Sequence, residues 1–153
     1  FADGDMICQA DIKELWDLRD EAKALLVVKH EYQTKAHQKY LGNINENYPR
    51  KNWSSVVLWN CAHPENKKVT PEFVNSATPM ELHRFLWLTE ANIGELDKKW
   101  NWLVGEYDNP PDDVKNVHWT IGGPYFKEYH NVDFSDEWRS LKDDMLYCKQ
   151  RDD

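Results

Sequence analysis

The sequence lacks the segments that carry a chain into or across a membrane. No apolar run approaches the roughly 18 residues that a membrane-spanning helix requires, and the start shows no basic stretch followed by an apolar one. Cysteine is scarce, and Cys8, Cys61 and Cys148 form no C-x-x-C pair. Neither a disulfide framework nor a zinc ribbon is therefore indicated. These absences predict a protein without a membrane span that resides in a reducing cytoplasm.

Basic residues are also in deficit. The 19 Lys and Arg face 27 Asp and Glu, which leaves a formal charge of -8 at pH 7. Because affinity for nucleic acid depends on clustered cations that neutralise phosphates, DNA and RNA are excluded as main partners. The 153 residues, 41% hydrophobic and 30% charged, suit one globular domain. The eight Trp indicate aromatic burial, with stacking on planar ligands such as sugars as the alternative for some of them.

Helix-start signals and short apolar runs both occur along the chain, which predicts an α/β fold. Capping residues and apolar spacing predict helices at 11–20, 71–76 and 79–87, and a last helix that begins at Ser135. Short apolar runs, many of them β-branched, predict strands at 24–30, 54–60 and 114–121. Between the first two strands, residues 31–52 are polar and rich in turn formers. This stretch is the best candidate for a loop over a binding site.

Two places in the sequence have the chemistry of metal ligands. Asp3 and Asp5 flank Gly4, and at the end of a buried strand their carboxylates would point to one side, since side chains at i and i+2 share a face. Such oxygens suit Mg²⁺ or Mn²⁺, although a solvated acidic turn explains the triplet equally well. His118 lies in an apolar stretch before Gly122-Gly123-Pro124. A core imidazole that is hydrogen-bonded to the backbone is the alternative to a metal ligand there.

Four motifs follow one another along the chain. They are Asp3-Gly4-Asp5, Asn52-Trp53-Ser54-Ser55-Val56-Val57-Leu58, Leu96-Asp97-Lys98-Lys99-Trp100-Asn101 and His118-Trp119-Thr120-Ile121-Gly122. Their order resembles that of the glycogenin-like glycosyltransferases, the retaining family-eight enzymes of the GT-A fold. The resemblance implies a partial GT-A fold with a mixed, mostly parallel sheet and flanking helices. It also implies Mn²⁺ or Mg²⁺ held by Asp3, Asp5 and His118, with Asp3 also contacting the ribose.

The same resemblance implies transfer of a hexose from a nucleoside diphosphate sugar to an unknown acceptor with retention, and a UDP-sugar is the favoured donor. A cation held by one imidazole and two carboxylates keeps open positions for diphosphate oxygens. Where the family has Lys-Pro-Trp, this chain has Gly123-Pro124-Tyr125, so the cationic phosphate contact is missing from that position. Lys127 or the backbone N–H groups of Gly122 and Gly123 are predicted to substitute.

The catalytic group and the sugar contacts have weaker signals. Where the family presents an Asp-Gln-like pair, the candidates are Glu81 and His83, with Arg84 beside them. A capping box explains Glu81 and an exposed helix face explains His83 without any chemistry. Trp100 and Asn101 would stack on and hydrogen-bond a sugar, but a turn that closes the core explains them equally well.

The resemblance covers residues 1 to about 130 and only the later half of the family domain. We therefore predict that residues 1–153 are the C-terminal portion of a GT-A domain without its N-terminal nucleotide-binding part, and the start at Phe1 suggests a fragment or a processed product. A sheet without its first strands exposes an edge, so a homo-oligomer is expected. Whether the chain is an enzyme stays open. The alternatives are a noncatalytic remnant or binding module that keeps the fold and a cation, and a metal-free structural domain.

Overall fold

The computed structural model describes residues 1–148, so residues 149–153 of the predicted domain lie outside the described part. Within 1–148 the strands are Met6–Cys8 (β1), Leu25–Val27 (β2), Val57–Trp59 (β3), Ile93–Glu95 (β4), Trp102–Leu103 (β5) and Asn116–His118 (β6). The α-helices are Ile12–Trp16 (α1), Pro71–Ser76 (α2), Pro79–His83 (α3) and Ser135–Cys148 (α4). The chain is a mixed α/β protein, as predicted.

The strands of the described part form two small sheets, in the orders β3-β2-β4 and β1-β6-β5. In the first sheet β2 is antiparallel to β3 and parallel to β4. In the second sheet β6 is antiparallel to β1 and parallel to β5. The prediction of a mostly parallel sheet is therefore wrong, because each sheet contains one pair of each kind.

Helix α3 begins where the sequence predicts and ends earlier. The Thr78 side chain accepts from the Glu81 N–H, and the Glu81 carboxylate accepts in return from the Thr78 N–H and hydroxyl. This is the predicted capping box. The helix ends at His83 rather than at residue 87, because Phe85 adopts a φ of 52° in the left-handed region and buries its ring in the core.

The other helices begin where the sequence predicts, but α1 ends at Trp16 rather than at residue 20. Helix α2 occupies the predicted residues 71–76, and α4 begins at Ser135 as expected. Asp11 caps α1 by accepting from the Lys13 N–H, and Glu14, which has the N3 position of a capping box, pairs with Lys115 instead. No helix within residues 1–148 is long and apolar enough to cross a bilayer.

The core lies on both faces of β2. Because side chains alternate along a strand, Leu25 and Val27 pack with Trp53 on one face, while Leu26 packs with Trp100 on the other. A further cluster lies around β5 and β6. Tryptophan is mainly a core residue, as predicted. Four tryptophans are each no more than 8% exposed, namely Trp53, Trp100, Trp102 and Trp119.

Residues 31–52 form the predicted loop, with one short 3-10 turn and an isolated bridge in it. The buried Glu106 carboxylate accepts from the Thr34 hydroxyl at 2.6 Å and so anchors the start of the loop. Further along, the Tyr40 N–H donates to the Ile121 carbonyl at 2.8 Å. The loop therefore lies against the segment that follows β6.

Candidate metal centre

The pairing of β1 with β6 brings Asp3, Asp5 and His118 together. Met6 lies opposite His118 in the antiparallel register, and the Trp119 N–H donates to the Asp5 carbonyl at 3.1 Å. One ligand atom from each of the three side chains lies within 4.8 Å of the other two. That spacing is close to what one shared ion spans with bonds of about 2.0–2.6 Å. The predicted ligands therefore meet at one point.

The acidic pair lies at an exposed bend rather than at the end of a buried strand. Ala2 forms an isolated bridge with Val56, and the Asp3 N–H donates to the Ser55 carbonyl at 2.9 Å. The chain then bends and enters β1 directly after Asp5. This bend leaves Asp3 exposed while Asp5 is partly buried against β6.

The Asp5 carboxylate presents a buried oxygen that lacks a donor. Among the described residues Asp5 Oδ1 has no hydrogen-bond partner, and it lies 3.4 Å from His118 Nε2, a distance at which a protonated ring would form an ion pair with it. A buried, unpartnered carboxylate oxygen is costly, and a cation between it and the imidazole removes that cost. Two carboxylates and one imidazole also match the ligand preferences of Mn²⁺. The residues present therefore fit a divalent cation.

Asn101 orients the His118 ring from behind. Its amide nitrogen donates to Ser55 Oγ at 2.8 Å and to the Asn52 carbonyl at 3.3 Å. Its Oδ1 therefore faces His118 Nδ1, at 2.9 Å. Because an amide oxygen only accepts, Nδ1 carries a proton, and Nε2 is the ring nitrogen that faces Asp5 and can give its lone pair to a cation. Asn101 is 0% exposed, so the predicted hydrogen bond to a sugar is wrong, and its role is to position His118.

The two carboxyl groups have pKa values that move in opposite directions. Burial raises the pKa of Asp3, and the adjacent charge of Asp5 adds to this effect. Burial also tends to raise the pKa of Asp5, but contact with His118 and the charge of Lys39 outweigh it and hold this pKa below its usual value. Asp5 is therefore ionised at neutral pH, and its repulsion of Asp3 is of the kind that a bound cation relieves.

Lys39 is a cationic residue near the centre that the sequence analysis did not single out. It belongs to the loop 31–52, and its ammonium lies 3.2 Å from Thr120 Oγ1, close in sequence to His118. Burial lowers the pKa of Lys39, while the charge of Asp5 supports the protonated form. The half-buried ammonium thus lies within electrostatic reach of the acidic pair. The only sequence signal for it was the predicted loop over the site.

The two catalytic candidates have different surroundings. The Glu81 carboxylate is held by Thr78 in the capping box, so the structural interpretation of Glu81 is confirmed and accounts for this residue without a catalytic role. His83 is exposed, and its Nδ1 lies 3.1 Å from Ser54 Oγ. Burial is the largest influence on the pKa of Asp3 and raises it. The charge of His83 is among the smaller influences that lower this pKa. His83 therefore lies within electrostatic reach of the ligands, and its catalytic role stays a prediction.

Trp100 lies in the core rather than at a substrate site. Its side chain is 4% exposed and packs with Leu15, Leu26 and Leu96. A ring buried to this extent leaves no face on which a sugar can stack. The stacking prediction is therefore wrong, and the alternative, a turn that closes the core, is confirmed.

Aromatic rings cover the Gly122-Gly123-Pro124 turn. A Cβ built at Gly123 would lie 2.3 Å from the Tyr125 ring, so a lysine in that position would require this ring to move. Lys127 is exposed in the short turn Lys127–Tyr129. Phosphate contacts by Lys127, or by the N–H groups of Gly122 and Gly123, stay predictions.

Gly122→Ala is expected to lower the free energy of unfolding by about 1–3 kcal/mol, the usual effect of overpacking. A Cβ at Gly122 would lie 2.5 Å from the Tyr129 ring, which must then move. Urea unfolding followed by tryptophan fluorescence measures the change. The matched control is Gly4→Ala, because no atom of the described chain lies within 4 Å of a Cβ at that position. Equal midpoints for the two variants would show that Tyr129 does not pack over the turn as described.

The chain is similar to a longer plant protein. Protein CDI of Arabidopsis thaliana is 45% identical to it over 142 residues. The match covers 90% of this chain and 55% of that protein, so the chain spans about half the length of this curated relative. No known protein-family model and no solved structure matches the chain.

Proposed function

We propose that this chain carries the metal-binding part of a GT-A glycosyltransferase, which transfers a hexose from a nucleoside diphosphate sugar to an acceptor with retention. The observation that supports this most is the buried, unpartnered Asp5 Oδ1, 3.4 Å from His118 Nε2 and beside the Asp3 carboxylate. Acidic residues that are clustered only by chance on a surface remain solvated. They do not bury an oxygen against an imidazole nitrogen that can ligate the same ion.

Each residue of the centre has a role in this proposal. Asp3, Asp5 and His118 hold Mn²⁺ or Mg²⁺, and Asp3 also contacts the ribose of the donor, for which a UDP-sugar is favoured. The cation, when bound, stabilises the negative charge that develops on the departing nucleoside diphosphate. Asn101 keeps the lone pair of His118 directed at the ligand position. Lys39 supplies a fixed positive charge on the same side.

Lys39 is proposed to replace the lysine that the family has at the position of Gly123. The Tyr125 ring covers Gly123, whereas the Lys39 ammonium is held by Thr120 near the acidic pair. A half-buried ammonium has shed part of its water, so a contact with phosphate is stronger there than at the surface. The diphosphate would therefore lie between the cation and Lys39.

Lys39→Gln is expected to weaken binding of UDP about tenfold in the presence of Mn²⁺, because it removes one charge-assisted hydrogen bond while keeping a polar side chain that is only one bond shorter. Isothermal titration calorimetry measures the affinity, with pyrophosphate as a second probe that lacks the nucleoside. The exposed Lys67, changed to Gln, is the matched control. An unchanged UDP affinity in Lys39→Gln would remove Lys39 from the diphosphate site.

Titration of the unaltered chain with Mn²⁺ and then UDP tests the proposed function itself. We expect Mn²⁺ to bind alone, and UDP to bind more tightly when Mn²⁺ is present, because the diphosphate shares the ion. Binding of Mn²⁺ with no response to UDP would favour the alternative, a noncatalytic module that keeps the fold and a cation. If neither ligand produced heat, alone or together, the metal proposal would be refuted.

The remaining parts of the proposal concern chemistry and assembly. His83, with Arg84 beside it, is proposed to lie near the transferred sugar. The proposed compartment is the cytoplasm, and the proposed assembly is a homo-oligomer that forms through an exposed sheet edge. Light scattering on the purified chain tests the assembly, and a monomeric mass at working concentrations would contradict it.

A further inference from the structure

The loop 31–52 is attached to the rest of the protein mainly by polar groups. Among its residues, all of which the structure describes, Asn45 and Lys51 are the buried ones. Its two large aliphatic side chains, Leu41 and Ile44, are 82% and 75% exposed. A loop without a buried apolar side chain gains little from the hydrophobic effect. Its hydrogen bonds to the rest of the chain therefore largely determine where it lies.

The Glu106 carboxylate accepts three of these hydrogen bonds. It lies just after β5 and is 3% exposed. One of its oxygens accepts from the Thr34 hydroxyl at 2.6 Å and from the Asn45 amide at 3.1 Å. The other oxygen accepts from the Lys35 N–H at 2.9 Å. Hydrogen bonds to a carboxylate are stronger than those between neutral groups, and all three donors belong to the loop 31–52.

These bonds hold the base of a hairpin formed by residues 37–45. At its base the Asn45 N–H donates to the His37 carbonyl at 2.9 Å. Nearer the tip the Lys39 N–H donates to the Asn43 carbonyl at 2.7 Å. The two arms of the hairpin are thus joined to each other. The carboxylate that holds Asn45 therefore also sets the position of the arm that carries Lys39.

The tip of the hairpin lies against the segment that follows β6. The Lys39 ammonium lies 3.2 Å from Thr120 Oγ1, and the Tyr40 N–H donates to the Ile121 carbonyl at 2.8 Å. The Tyr40 ring stacks on Phe126, with the ring centres 4.9 Å apart. The base of the hairpin is therefore held by a buried carboxylate, and its tip lies beside the metal centre.

Glu106 also acts on Lys39 through its charge. Burial lowers the pKa of Lys39, whereas the charge of Asp5 and then that of Glu106 raise it. The buried Lys51 ammonium donates to Asn45 Oδ1, so the Asn45 amide lies between this cation and the Glu106 carboxylate. The carboxylate thus holds the hairpin and supports the protonated form of its lysine.

We propose that Glu106 is a positioning residue, which holds the hairpin 37–45 so that Lys39 faces the metal-bound diphosphate. The hold on the hairpin rests on the contacts alone, whereas the role in donor binding rests on the proposed function. None of the hydrogen bonds of Glu106 reaches a metal ligand. Loss of Glu106 should therefore weaken the binding of UDP and leave the binding of Mn²⁺ alone intact.

Hydrogen exchange without metal or nucleotide tests the hold on the hairpin. Glu106→Gln keeps the shape of the side chain but places an NH₂ group where one oxygen accepts a bond. We expect the N–H groups of Lys39 and Asn45 to exchange about tenfold faster relative to those of β2. Asp108→Asn is the matched control, because Asp108 is 77% exposed and pairs with Lys35 of the same loop. Equal exchange of the hairpin in the two variants would overturn the proposal.

Titration of Glu106→Gln with Mn²⁺ and UDP tests the role in donor binding. Mn²⁺ alone should bind as it does to the unaltered chain, and UDP in the presence of Mn²⁺ should bind about tenfold more weakly. The double variant with Lys39→Gln should bind UDP little more weakly than Lys39→Gln does, because both changes act through the same ammonium. Additive losses, unchanged UDP affinity or a loss of Mn²⁺ binding would each contradict the role of Glu106 in positioning Lys39.

A pair of changes at Thr34 tests the same contact from the side of the loop. Thr34→Val removes the hydroxyl that donates to Glu106, whereas Thr34→Ser keeps it. Thr34→Val should speed exchange in the hairpin 37–45, and Thr34→Ser should exchange at the rate of the unaltered chain. Equal exchange in these two variants would refute the hold on the hairpin even if Glu106→Gln did not fold.

The two kinds of measurement separate this proposal from the proposed function. If the unaltered chain did not bind UDP, the proposed function and the donor role of Glu106 would both be refuted. Hydrogen exchange, which needs no ligand, would still decide whether Glu106 holds the hairpin. Normal binding of Mn²⁺ and UDP with unchanged exchange in Glu106→Gln would refute the role of Glu106 and leave the proposed function intact.

Discussion

Asp5→Asn is expected to weaken Mn²⁺ binding at least about 100-fold. This substitution keeps the shape of the side chain but replaces the buried, unpartnered Oδ1 by an amide, which is a poor ligand and carries no charge. Changes to residues that merely support a metal ligand typically cost 10- to 100-fold in affinity, so loss of a ligand itself should reach or exceed that range. Calorimetry or the electron paramagnetic resonance of free Mn²⁺ measures the affinity.

The matched control for this variant is Asp136→Asn. The Asp136 side chain is 93% exposed and pairs with Arg139 on α4, so its change also removes one acidic charge. We expect its Mn²⁺ affinity to equal that of the unaltered chain. Equal affinities for Asp5→Asn and Asp136→Asn would mean that any bound cation lies elsewhere, and the Asp3/Asp5/His118 centre would have to be abandoned.

The stability of Asp5→Asn without metal gives an independent check. Burial raises the pKa of Asp3, and the charge of Asp5 raises it further. The two carboxylates therefore repel each other when no cation is bound. Contact with His118 and the charge of Lys39 nevertheless hold the pKa of Asp5 below its usual value, so the ionised carboxylate stabilises the metal-free fold on balance, and Asp5→Asn should lower that stability slightly. Mn²⁺ at 100 times its Kd should stabilise the unaltered chain by about 2.7 kcal/mol and Asp5→Asn far less.

The metal ligands were more predictable from sequence than the residues that support them. Asp3 and Asp5 share a local spacing, and His118 is conspicuous as an imidazole in an apolar strand. Asn101 carries no such signal, because its partner His118 lies on the neighbouring strand and the contact depends on the parallel pairing of β5 with β6. Lys39 is one lysine among many, and only the fold places it near Thr120.

The strands that the sequence analysis missed are short. The three strands Met6–Cys8, Ile93–Glu95 and Trp102–Leu103 contain too few residues for an alternating pattern to be read, and they are extended because β2 and β6 offer them partners. The loop 31–52 was predicted from its polar composition, but the buried contact of Thr34 with Glu106 that anchors it is long-range. Local composition indicated that a loop exists and did not indicate what it covers.

His30 is expected to make the protein sensitive to acid. In the folded state the pKa of His30 is lowered to about 3, first by burial and then by the charge of His118. An unfolded histidine titrates near 6.5. Between these two values the unfolded state binds the proton and the folded state does not, so stability falls as the pH decreases through this window. At pH 4.5 this one residue should destabilise the fold by about 2–3 kcal/mol relative to pH 7.5.

His30→Asn isolates this contribution, because Asn retains a polar group near the Tyr107 hydroxyl but does not titrate. The variant should be less stable than the unaltered chain at pH 7.5, since it replaces a well-packed ring, yet lose about 2–3 kcal/mol less on acidification to pH 4.5. Urea unfolding at both pH values gives the four free energies, and the exposed His130, changed to Asn, is the control. An equal loss of stability in His30→Asn and His130→Asn would mean that the pKa of His30 is not lowered in the folded state.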